Sequence, residues 1–427
     1  MSVKIVNFGC RLNSSEANVI EKQANDAGLD ALQQEVVIFN SCAVTKEALR
    51  QTKQAIRKQV RENKNVKIIV TGCGAQTDPK AFSDMAEVDF VIGNMEKLDI
   101  ATYERIKLGF GIDQYEKVLV NDIMSIKQNT PHMVDAIAER ARSYVQIQNG
   151  CDHNCTFCII PYGRGRSRSV PIGAVIQQIN VLCETGCKEI VLTGVDLTSY
   201  GADLPSKPTL ATLVRDILEF SPKLQRLRIS SIDSIEVDNQ LFELLATEKR
   251  IMPHLHLSLQ SGSNMILKRM KRRHLREDAI RFCTELQQLR PEVTFGADLI
   301  AGFPTETDEM FNDTVKLIDE CNLTFLHIFP FSAHDKVPAS RMPQVKGNII
   351  KQRAAILRQM GAEKLAKHLD KKIGKTEQLL VETTTTARAD DYSFVLLNDG
   401  ENYTPGSIIY KKIVSHDGKA GKIYEDI

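Results

Sequence analysis

Three short apolar runs near the start of the chain each end on a cysteine. "VKIVNFGC" reaches Cys10, "VVIFNSC" reaches Cys42 and "VKIIVTGC" reaches Cys73. Each run has the length and β-branched content of a buried strand, and helix-compatible sequence follows. The first helix begins near Ser14, which can cap, with Asn13 as the rival cap. The second spans about 46–63, and "FVIGN" (90–94) is a fourth strand, followed by a helix to about Leu108. Such alternation predicts an open parallel sheet. In that architecture the carboxyl ends of the strands share one edge, where ligands bind. Cys10, Cys42 and Cys73 are thereby brought together. Three thiols at equivalent strand ends point to a shared metal site. The alternative is three separate buried thiols acting as small hydrophobes.

A second thiol set lies in "GCDHNCTFCIIPYGRGR" (150–166), where Cys151, Cys155 and Cys158 are spaced C-x3-C-x2-C. It directly follows "SYVQIQNG" (143–150), the first of six strand-like runs. The others are "EIVLTGV" (189–195), "RLRISS" (226–231), "HLHLSLQ" (254–260), "TFGADLIAGF" (294–303) and "FLHIFPFS" (325–332). Helical stretches lie near 172–185, 210–219, 239–247, 276–289 and 306–321. Six β/α units predict a partial parallel barrel, with its chemistry at the carboxyl ends of the strands. Thiolate-rich sites suit zinc, copper(I) or iron–sulfur clusters. A structural zinc site closes its shell with four protein ligands. A cubane cluster held by three cysteines instead leaves one iron open to an exchangeable ligand, which explains the missing fourth thiol.

A chain of 427 residues exceeds one ordinary core. The expected division is an α/β N-terminal open parallel domain (1–115), a linker (116–140) containing "KQNTPH" (127–132), a central partial (β/α)6 barrel (141–368) and a small all-β barrel (370–427). The last follows a charged helix near 347–371. It is read from "TEQLLVE", "YSFVLLN" and "SIIYKKIVSH", with turn signals at "NDG", "TPG" and "HDG".

With 55 basic and 54 acidic residues, overall charge does not speak to nucleic acid, so local patches must. Lys46, Arg50, Lys53, Arg57, Arg61 and Lys64 fall within roughly 80° of one helix circumference. Such a stripe can track phosphates, or be a solvated face. "LKRMKRRHLR" (267–276), with Arg272 and Arg273, is a second basic patch; Arg164, Arg166 and Arg168 follow the thiol loop. The last 58 residues run the other way, eight basic against ten acidic, with Lys411 and Lys412 as a limited basic patch. No apolar run reaches the roughly 20 residues of a membrane helix, and "MSVKIVNFGC" has none of the marks of a signal peptide. The expectation is a cytoplasmic protein, off the membrane, with reduced or metal-bound cysteines and no disulfides. Cys183, Cys187, Cys283 and Cys321 read as packing thiols, and His132, His254 and His327 have no partner spacing for a metal.

"CDHNCTFC" resembles the cluster loop of radical S-adenosylmethionine (SAM) enzymes, and the six-unit barrel is similar to theirs. The whole chain is similar in layout to the methylthiotransferases among them. The matching stretches are "NFGCRLNSSEA", "FNSCAVT", "VTGCGAQ", "CTFCIIPYGRGRSRS", "LHLSLQSGSNMILKRMKR" and "DLIAGFPTET". The resemblance implies two [4Fe-4S] clusters. Cys151, Cys155 and Cys158 would hold the one whose open iron is chelated by SAM and whose electron cleaves SAM to a 5′-deoxyadenosyl radical. Cys10, Cys42 and Cys73 would hold an auxiliary one that presents sulfur for insertion, with a second SAM giving the methyl group. It further implies SAM contacts at Phe157, Gly194 and Asp196, and the strand ends place Ser258, Gln260 and Asp298 at the same barrel mouth as further candidate SAM contacts. A TRAM-like RNA-binding barrel would stand at the end, with tRNA, an electron donor and a sulfur donor as partners.

"LTGVDLTSYG" (192–201) resembles the type acting on C2 of N6-threonylcarbamoyladenosine at tRNA position 37. The isopentenyladenosine type carries "GQN" there. "FPFSAHDKVPASRMPQV" is also similar to the first type, with Phe331, His334 and Val337 where tyrosine, arginine and threonine are usual. The alternatives are the isopentenyladenosine type, a type modifying a ribosomal-protein aspartate, and a non-catalytic iron–sulfur protein that binds RNA or carries electrons. The last would need fully ligated clusters.

Overall fold

The computed structural model describes residues 3–110, 112, 115–126 and 141–425. They form two compact units. The first holds the N-terminal segment together with residues 148–169 and 332–340; the second holds the strand before 148, residues 170–331 and everything from 341 onward. Two stretches inside the barrel region of the sequence, the thiol loop and 332–340, therefore fold with the N-terminal segment. This departs from the boundary expected at 141.

In the first unit, β1 (Val3–Asn7), β2 (Val36–Ser41), β3 (Lys67–Thr71), β4 (Phe90–Ile92) and β5 (Val118–Leu119) form one parallel sheet in that order. The strand β5 lies in the stretch expected to be linker; the "KQNTPH" part of that linker falls outside the described residues. The helices are α1 (Arg11–Asp26), α2 (Lys46–Glu62), α3 (Gly72–Thr77), α4 (Lys80–Ser83) and α5 (Ile100–Gly109). Ile38 and Ile69 pack with Ile20 of α1 and Tyr103 and Ile106 of α5, while Phe39, Ile68 and Val70 pack with Ile56 of α2. Burial on both faces is why β2 and β3 read as continuous apolar runs rather than alternating ones.

Neither Ser14 nor Asn13 caps α1. Cys10 is its N-cap, without a side-chain cap bond. Asn13 is engaged elsewhere, donating to the carbonyls of Phe8 at 2.8 Å and Ser41 at 3.2 Å. The second helix is capped conventionally, Thr45 accepting from the Ala48 amide at 3.1 Å.

The strand β6 (Arg142–Gln146) belongs to the second unit. The chain then rejoins the first through β7 (Gln148–Asn149), α6 (Ile160–Arg164) and β8 (Arg168–Ser169). The antiparallel pair β7–β8 closes the thiol loop at its base.

The second unit continues with β9 (Glu189–Thr193), β10 (Arg226–Ile229), β11 (His254–Gln260), β12 (Thr294–Ala301) and β13 (Leu323–Pro330). The six strands form two parallel three-stranded sheets, β10-β9-β6 and β11-β12-β13, linked by isolated bridges Leu227–Ile251 and Ile232–Leu257. Between them run α7 (Ile172–Glu184), α8 (Leu210–Phe220), α9 (Asn239–Thr247), α10 (Asn264–Met270), α11 (Arg276–Leu289) and α12 (Asp308–Glu320). Ile190, Leu192, Leu227, Leu255, Leu257 and Phe295 share one core with the helices. By the two-residue strand period, Glu189, Arg226, Arg228, His254 and His256 face the other way, into the barrel.

After α13 (Gly347–Asp370) comes a six-stranded sheet of β14 (Thr376–Thr383), β15 (Thr386–Ala389), β16 (Phe394–Leu396), β17 (Ile408–Lys412), β18 (Ser415–His416) and β19 (Gly421–Lys422). Its order is β17-β14-β15-β16-β19-β18, around Leu379, Val381, Val395 and Ile413. Its turn at 390–392 meets the amino ends of the barrel strands. Asp390 pairs with Arg226, and Tyr392 stacks on His254 with ring centroids 4.6 Å apart.

Candidate functional site

Cys10, Cys42 and Cys73 stand at successive strand-to-helix turns of one sheet, as expected. Cys10 caps α1, Cys42 lies between β2 and the capped start of α2, and Cys73 is in the first turn of α3. The positive ends of these helices favour thiolates. Two glycines allow close approach at these turns, Gly9 beside the Cys42 sulfur and Gly72 beside the Ser41 backbone. A side chain on Gly9 (φ +102°) would put its Cβ 2.8 Å from the Cys42 sulfur, and one on Gly72 (φ +91°) would sit 2.3 Å from the Ser41 carbonyl. Burial pushes the Cys42 thiol up to about 12, and the neighbouring Cys73 and Cys10 push the same way. Such a thiol ionises only when a metal takes the proton's place, and the donor set fits a thiolate-bound cluster.

Behind Cys73 lies a polar network not anticipated from sequence. Arg164 donates through Nε to the Cys73 sulfur at 3.2 Å, and Asn94 Nδ2 lies 3.6 Å from it. Arg164 also holds Glu16 and Asn13, and Glu16 holds Lys97. Burial alone would raise the Glu16 carboxyl, but Arg164 and Lys97 hold it at about 2. Arg164 and Arg168 are buried, so neither belongs to the surface basic patch expected there. Arg168 bonds the carbonyls of Arg164 and Arg166 instead, and Arg166 is 67% exposed.

The second thiol set shares this unit. The Cys151 amide donates to the Gly165 carbonyl at 3.0 Å, the Cys158 amide to that of Cys155 at 3.1 Å, and the His153 amide points at the Cys151 sulfur at 3.4 Å. Ile159 packs in one small core with Ala43, Cys73 and Val337. The segment 332–340 is tied over the same region. Ala339 bonds Thr156, Lys336 bonds the Thr77 carbonyl at 2.6 Å, and His334 reaches the Val44 carbonyl at 3.3 Å. Phe157 is half-buried between its two cysteines.

The remaining expected SAM contacts lie in the second unit. Gly194 and Asp196 follow β9, and Ser199 donates to Asp196 at 2.7 Å. Ser258 and Gln260 end β11, Gln260 in a left-handed turn at φ +67°. Asp298 on β12 is bridged by His256 at 2.8 Å and His327 at 3.3 Å. Burial would raise the Asp298 carboxyl, but the two imidazoles bring it well below its usual range. No sequence spacing marks His256 or pairs it with His327. The β12–β13 register sets Asp298 opposite His327, which no sequence spacing encodes.

Of the expected RNA contacts, Lys46, Arg50, Arg57 and Arg61 are exposed along α2. Arg50 is bound to Glu47, and Arg57 lies 3.7 Å from Glu87. Arg273 is about half exposed and pairs with Glu236. Arg272 departs from the expected RNA-contact role. Its side chain is 9% exposed and holds Asp233 at 2.6 Å and the Ser258 carbonyl at 2.8 Å, so it braces the end of β11 and offers no phosphate contact.

Residues 145–318 match the family model described as the Radical SAM superfamily, and residues 2–93 the one described as Uncharacterized protein family UPF0004. The chain is 53% identical over 395 residues to the threonylcarbamoyladenosine tRNA methylthiotransferase MtaB of Rickettsia prowazekii, covering 92% of this chain and 91% of that one. It is 32% identical over 426 residues to the MtaB of Bacillus subtilis, covering 97% and 92%. Among solved structures, the radical S-adenosylmethionine methyltransferase TsrM of Kitasatospora setae, with cobalamin and a [4Fe-4S] cluster bound, superposes with a TM-score of 0.58. The identity is 14%, over 80% of this chain and 77% of that one, a likeness of fold alone.

Proposed function

The chain belongs to the threonylcarbamoyladenosine tRNA methylthiotransferases, and from that membership we infer that it adds a methylthio group to C2 of N6-threonylcarbamoyladenosine at position 37 of tRNA. It is a radical SAM transferase and uses SAM and [4Fe-4S] clusters. When bound, these groups supply the hydrogen-abstracting radical, the sulfur and the methyl group. The residues divide the work. Cys151, Cys155 and Cys158 hold the SAM-binding cluster, and Cys10, Cys42 and Cys73 the auxiliary one. In the second unit, Gly194, Asp196, Ser258, Gln260 and Asp298 would orient SAM.

The observation that carries this reading is that two three-thiol sets fold into one unit, each lacking a fourth cysteine ligand from its own motif. The exposed cations of α2 and Arg273 provide phosphate contacts for the RNA. A reducing donor and a sulfur donor complete the reaction. No described helix is long and apolar enough to cross a membrane; we place the reaction in the cytoplasm, where its substrate resides. Mass spectrometry of tRNA nucleosides from a deletion strain is the test. Loss of the 2-methylthio form of N6-threonylcarbamoyladenosine is expected. Loss of the isopentenyladenosine product, or an unmodified ribosomal-protein aspartate with tRNA unchanged, would overturn the substrate.

A further inference from the structure

Three ionisable side chains behind Cys73 are almost sealed from water: Arg164 is 2% exposed, Lys97 0% and Glu16 4%. Glu16 accepts from both cations, Arg164 Nη2 at 3.0 Å and Lys97 Nζ at 2.6 Å. Burial pulls the Lys97 ammonium toward neutrality. Its surroundings keep it charged. Nζ also meets Asn94 Oδ1 at 2.7 Å and Asn40 Oδ1 at 3.5 Å. Three oxygen acceptors match the three protons of an ammonium, not the two of an amine. Two cations thus share one carboxylate, and one positive charge is left over. An unbalanced buried charge costs several kcal/mol, so the fold must meet it with an anion. The open side of the network is the Cys73 sulfur, where Arg164 Nε sits at 3.2 Å. A [4Fe–4S]2+ core on three thiolates carries one net negative charge, which equals the surplus.

We propose that Arg164 is the counter-ion and positioning residue of the auxiliary cluster, donating to the Cys73 thiolate, and that Arg164, Lys97 and Glu16 together present it with one net positive charge. The proposal rests on the functional reading above for the presence of that cluster. Arg164 ends α6, six residues beyond Cys158. The tail of the SAM-cluster loop therefore supplies the charge that the auxiliary cluster needs. Hydrogen bonds and positive charge at a cluster thiolate favour its reduced, more negative form and raise its potential.

The test uses the full chain with Cys151, Cys155 and Cys158 all replaced by alanine, so that only the auxiliary cluster reports. It is reconstituted anaerobically, assayed for iron and titrated by EPR. Adding Arg164→Gln, which removes the surplus, lowers the midpoint potential by at least 59 mV, tenfold in a one-electron equilibrium. Adding Glu16→Gln, which doubles the surplus, raises it. Adding Arg164→Lys leaves it near the parent. A merely structural role would move both glutamine variants in one direction. If Arg164→Gln loses its iron, the signs from Glu16→Gln and Arg164→Lys decide. Unchanged potentials at full iron content would overturn this proposal alone, whereas a parent that binds no cluster would overturn the functional reading and the proposal with it.

Discussion

Replacing Cys10 with alanine removes one thiol of the N-terminal set, the proposed auxiliary site, and leaves the C-x3-C-x2-C loop whole. The expected outcome is loss of sulfur insertion with 5′-deoxyadenosine release retained under reducing conditions. Cys151→Ala abolishes both. Equal loss of SAM cleavage in the two variants would refute the division of labour. Glu189 gives a second residue-scale expectation, about pH. It is fully buried and accepts from Arg142 at 2.7 Å and Arg226 at 2.8 Å, with Arg228 at 3.0 Å. Burial would raise its carboxyl, but the three guanidiniums hold it at about 2 against an ordinary 4.5. A depressed carboxylate contributes stability that is complete above the unfolded value and is lost as pH falls through the folded one. Denaturant titrations should therefore show wild type losing stability between pH 4.5 and 2. Glu189→Gln should lose about 3–5 kcal/mol at pH 7 and respond less steeply to acid. The thiols were legible from sequence because chemistry restricts what can replace them. Glu16, Lys97 and Asn94 were not, since an isolated charged residue reads as surface until its partner is placed beside it.

At the scale of elements, the strand-to-helix turns do the positioning. Gly72 precedes Cys73 at a positive φ where a Cβ would strike the Ser41 backbone, its carbonyl at 2.3 Å and its amide at 2.6 Å. Gly72→Ala must displace β2 or α3, at about 1–3 kcal/mol of backbone strain alone. Iron content after reconstitution should fall by half, with the SAM cluster retained. Apolar runs and turn residues located the strands and most helices, because strand burial and helix periodicity are local patterns. The start of α1 was misread, since Asn13 serves a tertiary contact rather than a cap. The edge strand β5 was read as linker, as two residues carry no period. The basic stripe on α2 was legible from helical spacing. Arg57→Glu with Arg61→Glu should weaken tRNA binding uniformly across tRNA sequences and reduce the slope of log K against log salt by about 2.

Over the whole molecule, the C-terminal sheet is joined to the barrel by buried charge. Arg228 donates to the carbonyls of Asp390 and Ala389 at 2.8 and 3.0 Å and lies 5.2 Å from the Tyr392 ring centre, and Arg142 pairs with Glu382. The acidic balance of this domain thus has a structural use, since its carboxylates meet arginines of the barrel interior. Deleting residues 370–427 should lower the melting temperature of the barrel as well as any RNA affinity, so the point variant Tyr392→Ala, followed by calorimetry, isolates the packing term. By itself the sequence determined the thiol sets, the parallel α/β alternation and the six barrel strands, because ligand chemistry and backbone periodicity are written locally along the chain. Only the tertiary structure decided that the C-x3-C-x2-C loop folds with the N-terminal unit, that Arg164 faces Cys73, and that Asp298 lies between two histidines. Those facts depend on which segments meet across long separations in sequence, and burial, not spacing, determines the charge such meetings can hold.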